Sequence, residues 1–438
     1  MDIIKKSKKI DYSIFAKNRE DLEVKYGLPT NVFYCDKCVQ SNQMPRSTTE
    51  FENTIENKKK TLNFNNKICD ACLFAEKKKN IDWIEREKEL IELCNKYRKD
   101  DGSYDCVAPG SGGKDSIYAA HILKHKYKMN PLTITWSPSL YTDWGYKNWK
   151  NWLNAGFDNV LFTPNGKTHR LLTRLALEKL LHPFQPFILG QKTLAAKIAK
   201  MYEIPLIFYG EQEAEYGTSL EKSSSSKVNE TLFSTEKEYL NLSLGGVKVN
   251  DLIKYFGLKK NDLKCYIPEQ KKIIKNFKID FHYLGYYLKW HPQSCYYYSV
   301  ENTSFEASPE RTSGTYSKYN SIDDKVDDLH YYTTFIKFGI GRATYDASQE
   351  IRSGDITREE GISLVNKFDG EFPKRFLPEL LEYLSINEKD FPKASEMFEE
   401  KEFSESYLND LCNNFRSPHL WYYENNKWHL RKKLNPDF

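Results

Sequence analysis

A glycine-rich segment near residue 110 has the composition of a phosphate-binding loop. The apolar run Val107–Pro109 is followed by Gly110–Ser116, which reads Gly-Ser-Gly-Gly-Lys-Asp-Ser, and then by Ile117–Leu123, which repeats apolar residues at helical spacing. A strand, a glycine turn and a helix in this order bring unpaired backbone N–H groups and the positive end of the helix dipole to one point. The segment therefore predicts an anion site at the start of a helix.

The residue order separates this loop from two common nucleotide loops. A G-x-x-x-x-G-K-[ST] loop needs Gly where Ala108 stands and a hydroxyl where Asp115 stands, and the chain has no G-x-G-x-x-G. The remaining pattern resembles the S-G-G-x-D-S loop of the PP-loop ATP pyrophosphatases, which cleave ATP between its α and β phosphates. The alternative is a tight strand-to-helix turn in which Asp115 caps the helix.

That resemblance implies roles for six loop residues. Asp115 would organise Mg²⁺ and, with Lys114, would be catalytic. The residues implied to hold ATP and its departing pyrophosphate are Ser111, Gly112, Gly113, Lys114, Asp115 and Ser116.

Two Cys-x₂-Cys pairs, Cys35/Cys38 and Cys69/Cys72, predict a structural zinc site. One pair alone is also typical of a redox site, but two pairs with the same spacing favour four thiolates around one tetrahedral ion. The alternative is four unrelated buried thiols. Disulfides are not expected, because the chain has the features of a cytoplasmic protein.

Charge and hydropathy exclude several classes of partner. The 438 residues include 65 basic and 61 acidic side chains, a net charge of +4, which argues against nucleic acid as the main partner. The first residues lack the apolar segment of a secretory signal, and no apolar run approaches the length of a membrane span. We therefore predict a cytoplasmic protein without a membrane partner.

Strand and helix patterns alternate after residue 100 and predict an α/β fold with a parallel sheet covered by helices on both faces. The predicted strands are Tyr104–Ala108, Leu132–Ser137, Asn159–Thr163 and Pro205–Tyr209. Ligands bind beyond the carboxyl ends of such strands, which makes Glu211 and Glu213 candidate acids near the metal; a solvated loop explains them equally well.

The predicted domains are an N-terminal lead (1–30), a four-cysteine zinc module with a connector helix (31–100), a PP-loop ATP-binding domain (101–217), a substrate-binding region with a helical domain (218–400) and a C-terminal extension (401–438).

A tract rich in aromatic and charged residues, 282–369, suits a pocket that stacks on sugar or base faces and fixes anionic groups. Helices packed on the nucleotide domain, with surface salt bridges, are the alternative. The candidate substrate-binding residues are Arg311, Lys318, His330, Lys337 and Arg342, and His330 is also a candidate catalytic residue together with Glu211.

Taken together, these segments resemble the N-acetyl sugar amidotransferases of the PseA and WbpG type. These are PP-loop enzymes of lipopolysaccharide and flagellin-glycan pathways that convert an acetamido group of a sugar into an acetamidino group. The resemblance is carried by Tyr34–Cys38, Cys69–Cys72, Ile81–Trp83, Pro109–Ser116, Gly314–Lys318, Asp323–Lys325, His330–Tyr332, Lys337–Arg342 and Thr357–Glu360. His291 stands where the family's W-D-P-Q pattern has an acid.

The resemblance also implies a nucleotide fold of the adenine nucleotide α-hydrolase type, and ATP, Mg²⁺ and structural Zn²⁺ as cofactors. The substrate would be a nonulosonic acid, such as pseudaminic acid, or a diacetamido uronic acid or nucleotide sugar. Ammonia would come from a separate glutaminase, as in the paired glutaminase and cyclase subunits of histidine synthesis. The sequence leaves a homo-oligomer open.

Two other functions fit parts of the sequence. A tRNA thiolation enzyme also combines a PP-loop with Cys-x₂-Cys pairs, and Cys265 or Cys295 would then carry sulfur. A non-catalytic nucleotide-binding or zinc-binding protein would keep ATP intact. Neither alternative accounts for the tract from His330 to Arg342.

Overall fold

The N-terminal part of the computed structural model contains a small hairpin and two helices. The model describes residues 4, 10–45, 61–217, 225–228 and 233–435. The strands, in chain order, are β1 (Phe64–Asn65), β2 (Ile68–Cys69), β3 (Cys106–Pro109), β4 (Pro131–Trp136), β5 (Asn159–Phe162), β6 (Leu206–Tyr209), β7 (Ser234–Thr235), β8 (Ser243–Leu244), β9 (Val247–Lys248), β10 (Glu269–Gln270), β11 (Asp280–Tyr283), β12 (Trp421–Glu424) and β13 (Lys427–Leu430).

Helices account for most of the remaining regular structure. In chain order they are α1 (Asp70–Lys78), α2 (Trp83–Tyr97), α3 (Lys114–His125), α4 (Asp143–Asn154), α5 (Gly166–Leu180), α6 (Gln185–Met201), α7 (Val249–Phe256), α8 (Lys260–Leu263), α9 (Lys271–Asn276), α10 (Leu284–Tyr287), α11 (Pro292–Thr303), α12 (Val326–Phe338), α13 (Arg342–Ser353), α14 (Arg358–Phe368), α15 (Leu377–Leu384) and α16 (Glu405–Phe415). Within the described ranges, none of these helices is long and apolar enough to span a bilayer.

A five-stranded parallel sheet with the order β11-β6-β3-β4-β5 organises the molecule. The predicted α/β class and the four predicted strands are confirmed, and β11 is an additional edge strand. The chain continues from β3 to β4 and β5 on one side and later adds β6 and β11 on the other. The strand order therefore reverses at β3, and such a reversal opens a crevice at the carboxyl ends of the strands.

Helices cover both faces of the sheet. Alternate residues of a strand point to opposite faces, so neighbouring residues of one strand pack against different helices. Val107 of β3 packs in a core with Leu194 and Ala195 of α6. Its neighbour Ala108 packs instead with Ile117 and Ala120 of α3. The central strand is thus buried on both sides, as the continuous apolar pattern predicts.

The two ends of the chain pack together beside the C-terminal helices. The Tyr26 hydroxyl donates to the Phe415 carbonyl at 2.6 Å, and the His419 amide donates to the Glu23 carbonyl at 3.2 Å. The Trp421 indole donates to the Ile336 carbonyl of α12 at 2.9 Å. Contacts therefore cross the domain boundaries predicted near residues 30 and 400, and those boundaries stay predictions.

Candidate functional site

The Gly110–Ser116 loop leaves the carboxyl end of β3 at the point where the strand order reverses. Gly113 is the residue before the first turn of α3, and no side chain caps that turn. The Ser116 hydroxyl donates to the Gly113 carbonyl at 2.9 Å. Asp115 lies inside the first turn, so the alternative of Asp115 as a helix cap does not hold. The N–H groups of this turn lie at the carboxyl edge of the sheet, where a reversal of strand order is expected to open a crevice, and they can bind an anion.

Gly112 is expected to be irreplaceable, whereas Gly113 is not. Gly112 has φ +90°, and a Cβ there would lie 2.7 Å from Cα and 2.8 Å from N of Trp149, backbone atoms of α4. Gly112→Ala is therefore expected to lower the Tm by about 2 °C or more, because it combines left-handed strain with a backbone clash.

Gly113→Ala is the matched control for stability, since its Cβ would meet nothing closer than Ser111 Oγ at 3.7 Å. Thermal unfolding of both variants tests the prediction. Equal melting temperatures for Gly112→Ala and Gly113→Ala would contradict the left-handed backbone and the close contact with α4 at Gly112.

Two carboxyl groups and one ammonium group converge beside the loop. Lys114 is 4% exposed, and its Nζ donates to Asp115 Oδ2 at 2.6 Å. The other oxygen, Asp115 Oδ1, is buried and has no hydrogen-bond partner among the described residues. Burial, and next the charge of Asp115, raise the pKa of Glu211 to about 8. An unpaired carboxylate oxygen next to a second carboxyl group fits the oxygen ligands of Mg²⁺.

The raised pKa of Glu211 predicts pH-dependent metal binding. Below about pH 8 the group is mostly protonated, and a cation must displace that proton. The affinity of this carboxyl pair for a divalent cation such as Mg²⁺ is expected to rise as the pH is raised through this range, by up to about tenfold per pH unit, and to level off above it.

Glu211→Gln should bind Mg²⁺ more weakly and with a flat pH profile. Glu213→Gln is the control on the same segment, because the charge of Glu213 acts on Tyr283 instead. Mg²⁺ titrations at several pH values measure all three proteins. A wild-type affinity that does not change with pH would contradict the prediction.

The C-terminal tract reaches the same crevice from the opposite side. Burial raises the pKa of Asp323, and the Ser111 hydroxyl lies close enough to this carboxyl group to oppose that rise. Arg342, at the first position of α13, is held by Asp346 at 3.1 Å and donates to the Tyr331 hydroxyl. Its positive charge favours the ionised forms of Asp323 and Glu211. The structure therefore places Arg342 within charge-interaction range of Glu211 and Asp323.

Two other predicted substrate residues line a separate surface cavity of about 800 Å³. Arg311 forms a two-pronged ion pair with Glu371, at 2.5 and 2.6 Å. Lys318 is exposed on the rim of this cavity. The neighbouring Tyr319 ring lies 6.0 Å from Lys114 Nζ, which places the cavity wall next to the loop.

The structure places Lys337 and His330 among packed helices. Lys337 is 2% exposed and donates to the Leu180 carbonyl at 2.6 Å, so it holds α12 against α5. The His330 ring stacks between His182 at 4.7 Å and Phe184 at 5.5 Å. Both side chains pack helices in this structure, and neither is open to a sugar.

The four predicted cysteine ligands form one buried cluster, in which the candidate ligand atoms all lie within 4.8 Å of one another. Cys35 Sγ and Cys72 Sγ are 3.8 Å apart, and Cys38 Sγ and Cys69 Sγ are 3.7 Å apart, too far for disulfides. Backbone amides, including Lys37 N at 3.4 Å, donate to the sulfur atoms. This donor set can bind a metal such as zinc in a closed, structural site.

Sequence reasoning missed several residues that support the site. Asp324 is 2% exposed, and its carboxylate accepts the amides of Ser139 and Leu140, which ties the loop after β4 to the C-terminal tract. A doubled acid in a charged tract gives no sign of burial. His291 caps α11 by accepting the Ser294 amide at 3.2 Å, a role that an acid also performs.

Comparison with known proteins supports one part of this picture. Residues 313–435 match the C-terminal domain of WbpG-like LPS biosynthesis proteins. The WbpG-like segment contains Asp323, which lies beside Ser111 of the loop, and Arg342, whose charge acts on Glu211. It also crosses the boundary predicted at residue 400.

A further similarity covers a short stretch. The chain is 39% identical over 77 residues to an uncharacterized protein of Methanocaldococcus jannaschii, which is 17% of this chain and 27% of that protein. The chain thus spans about a quarter of the length of that relative.

Proposed function

We propose that this protein is an ATP-dependent amidotransferase that converts an acetamido group of a bacterial surface sugar into an acetamidino group. The observation that carries the proposal is the convergence of two segments on one crevice. The Gly110–Ser116 loop supplies an anion site with an unpaired carboxylate oxygen, and the WbpG-like segment supplies Arg342 and Asp323. The match to LPS biosynthesis proteins supports a surface-sugar substrate.

The proposed reaction needs no side-chain nucleophile. Nitrogen donation makes an amide oxygen nucleophilic, so this oxygen attacks the α phosphorus of ATP and pyrophosphate leaves. Ammonia then adds to the imidate carbon, and AMP departs with the former amide oxygen. A proton is lost from nitrogen, and the acetamidino group remains.

The chain's own residues would orient these groups and neutralise their charge. The amides at the start of α3 and the Lys114 ammonium would face the leaving pyrophosphate, and Arg342 would face the substrate side. Mg²⁺ held by Asp115 and Glu211 would neutralise charge on the phosphates. Ammonia would come from a glutaminase partner, for which free ammonium can substitute.

The decisive experiment follows the acetamido oxygen of the sugar into AMP and the nitrogen of ammonia into the sugar. The protein is incubated with ATP, Mg²⁺, ammonium and diacetamido sugars, free or nucleotide-linked, whose acetamido oxygen is isotopically heavy. We expect sugar-dependent AMP that carries the heavy oxygen, and a sugar in which oxygen has been exchanged for NH. AMP without the label, or intact ATP with every sugar, would refute the proposal.

One observation bears on tRNA thiolation as the second candidate. Cys295 lies close enough to Asp115 and Lys114 for their charges to act on it, but it is 1% exposed, and burial raises the pKa of its thiol well above the usual value. A buried, protonated thiol is a poor sulfur carrier. AMP formation that requires tRNA instead of sugar would favour this candidate.

A further inference from the structure

One arginine connects the cysteine cluster to the acidic segment beside the loop. The Arg352 guanidinium, in the last turn of α13, lies 3.9 Å from Cys38 Sγ and donates to the Glu215 carbonyl at 3.0 Å. A guanidinium has several donors in a rigid plane, so one side chain can hold two partners in a defined geometry. Arg352 therefore contacts a predicted metal ligand and the Gly210–Gly217 segment at once.

The segment that Arg352 holds is clamped from several sides. Glu215 forms an ion pair with Lys78 of α1, with both side chains less than 15% exposed. Lys78 also donates to the Trp290 carbonyl at 3.0 Å. At the end of the segment, Gly217 has φ +86°, and a Cβ there would lie 2.1 Å from Leu62. Residues of the cysteine module thus pack against one side of this segment.

The same segment carries Glu211, whose carboxyl group lies next to Asp115. Four thiolates around a divalent metal retain net negative charge, which attracts a guanidinium. Without the metal, this attraction and the compact geometry of the four sulfur atoms are lost. The position of Glu211 should then depend on whether the cysteine cluster is occupied.

We propose that Arg352 is a positioning residue that links metal occupancy of the cysteine cluster to the Mg²⁺ affinity of the Asp115 and Glu211 site. This inference rests on the proposed function for its Mg²⁺ and ATP site. It assigns the cysteine module a second role besides stability: the module holds the acidic segment against the loop.

The test compares two arginines that touch the same cluster. Arg358 donates to the carbonyls of Cys35 and Cys38, at 3.2 and 3.1 Å, and to no residue of Gly210–Gly217 in the described contacts. Arg352→Gln should retain zinc but raise the Mg²⁺ concentration for half-maximal ATP binding about tenfold. Arg358→Gln should stay within about twofold of wild type, a shift too small for loss of a direct partner.

Two further measurements separate positioning from general damage. In Arg352→Gln, amide hydrogen exchange should increase in residues 210–217, and exchange in the strands of the sheet should stay unchanged. Removal of zinc from the wild-type protein, by a chelator that is then dialysed away, should raise the Mg²⁺ requirement as the substitution does. Removal of zinc from Arg352→Gln should raise the Mg²⁺ requirement little further, because this variant already lacks the contact between the cysteine cluster and the acidic segment.

Equal Mg²⁺ dependence in wild type and Arg352→Gln would overturn the inference, as would equal effects of the two substitutions. Wild-type protein that binds no ATP at any Mg²⁺ concentration would refute the proposed function instead. Arg352→Lys keeps the charge but loses the planar fork, and it should fall between wild type and the Gln variant.

Discussion

Replacing Asp115 with Asn is expected to reduce sugar-dependent pyrophosphate release by about 10²- to 10³-fold. Asp115 Oδ1 is buried and lacks a hydrogen-bond partner among the described residues, and Oδ2 fixes the Lys114 ammonium. The substitution keeps the shape of the side chain but removes the negative charge that would attract Mg²⁺ and hold Lys114. Initial rates of pyrophosphate release measure the effect.

Asp143→Asn is the matched control. Asp143 also lies in the first turn of a helix that follows a strand of the sheet, but it is exposed. Both substitutions remove the same favourable interaction with a helix dipole, worth about 0.3–1 kcal/mol. If the two variants lose activity equally, Asp115 has no special role in the reaction.

Cys69→Ser is expected to abolish stoichiometric zinc binding and to lower the Tm by about 10 °C. The four sulfur atoms lie in the same core as Phe15, Tyr26 and Phe415, so loss of the metal removes a cross-link between distant parts of the chain. Structural zinc in small modules contributes on the order of 10 kcal/mol at neutral pH, and at about 2 cal/mol/K of unfolding entropy per residue the loss of all of it shifts the Tm of a chain of 438 residues by about 10 °C.

Cys412→Ser provides the comparison for burying a hydroxyl in place of a thiol. Cys412 is 1% exposed and packs in the same core, outside the cluster. Zinc content by elemental analysis and thermal unfolding with and without chelator distinguish the variants. Zinc-free wild-type protein, or similar melting temperatures for both variants, would show that the cluster is not a metal site.

The sequence predicts the parallel-sheet half of the structure well, for physical reasons. The four strands and their helices have strong local periodicity, and the glycine loop has a residue order that few other backbones require. The cysteine pairs share a spacing that four-coordinate metals impose. The prediction misses β11, since Asp280 and His282 interrupt its apolar pattern and only pairing with β6 makes it a strand.

The C-terminal half was harder, because residue type does not reveal where a charged side chain points. Lys337 and Arg342 both read as anion binders, yet Lys337 lies in a core and Arg342 lines a surface cavity. The position of each residue around its helix does not distinguish a buried from an exposed side chain, since aromatic and acidic residues occupy every face of these helices. The roles of Asp324 and Arg352 depend on contacts with residues far away in the sequence, which no local pattern encodes.

The position of α13 has a consequence for synthesis of the chain. The charge of its first residue, Arg342, acts on Glu211, and Arg352 in its last turn donates to the Glu215 carbonyl, so one helix acts on the acidic segment from two points about 15 Å apart. The sheet is complete once residue 283 has been made. A growing polypeptide on the ribosome can therefore fold its sheet before it has either arginine, and the crevice is finished only when the last third of the chain has emerged.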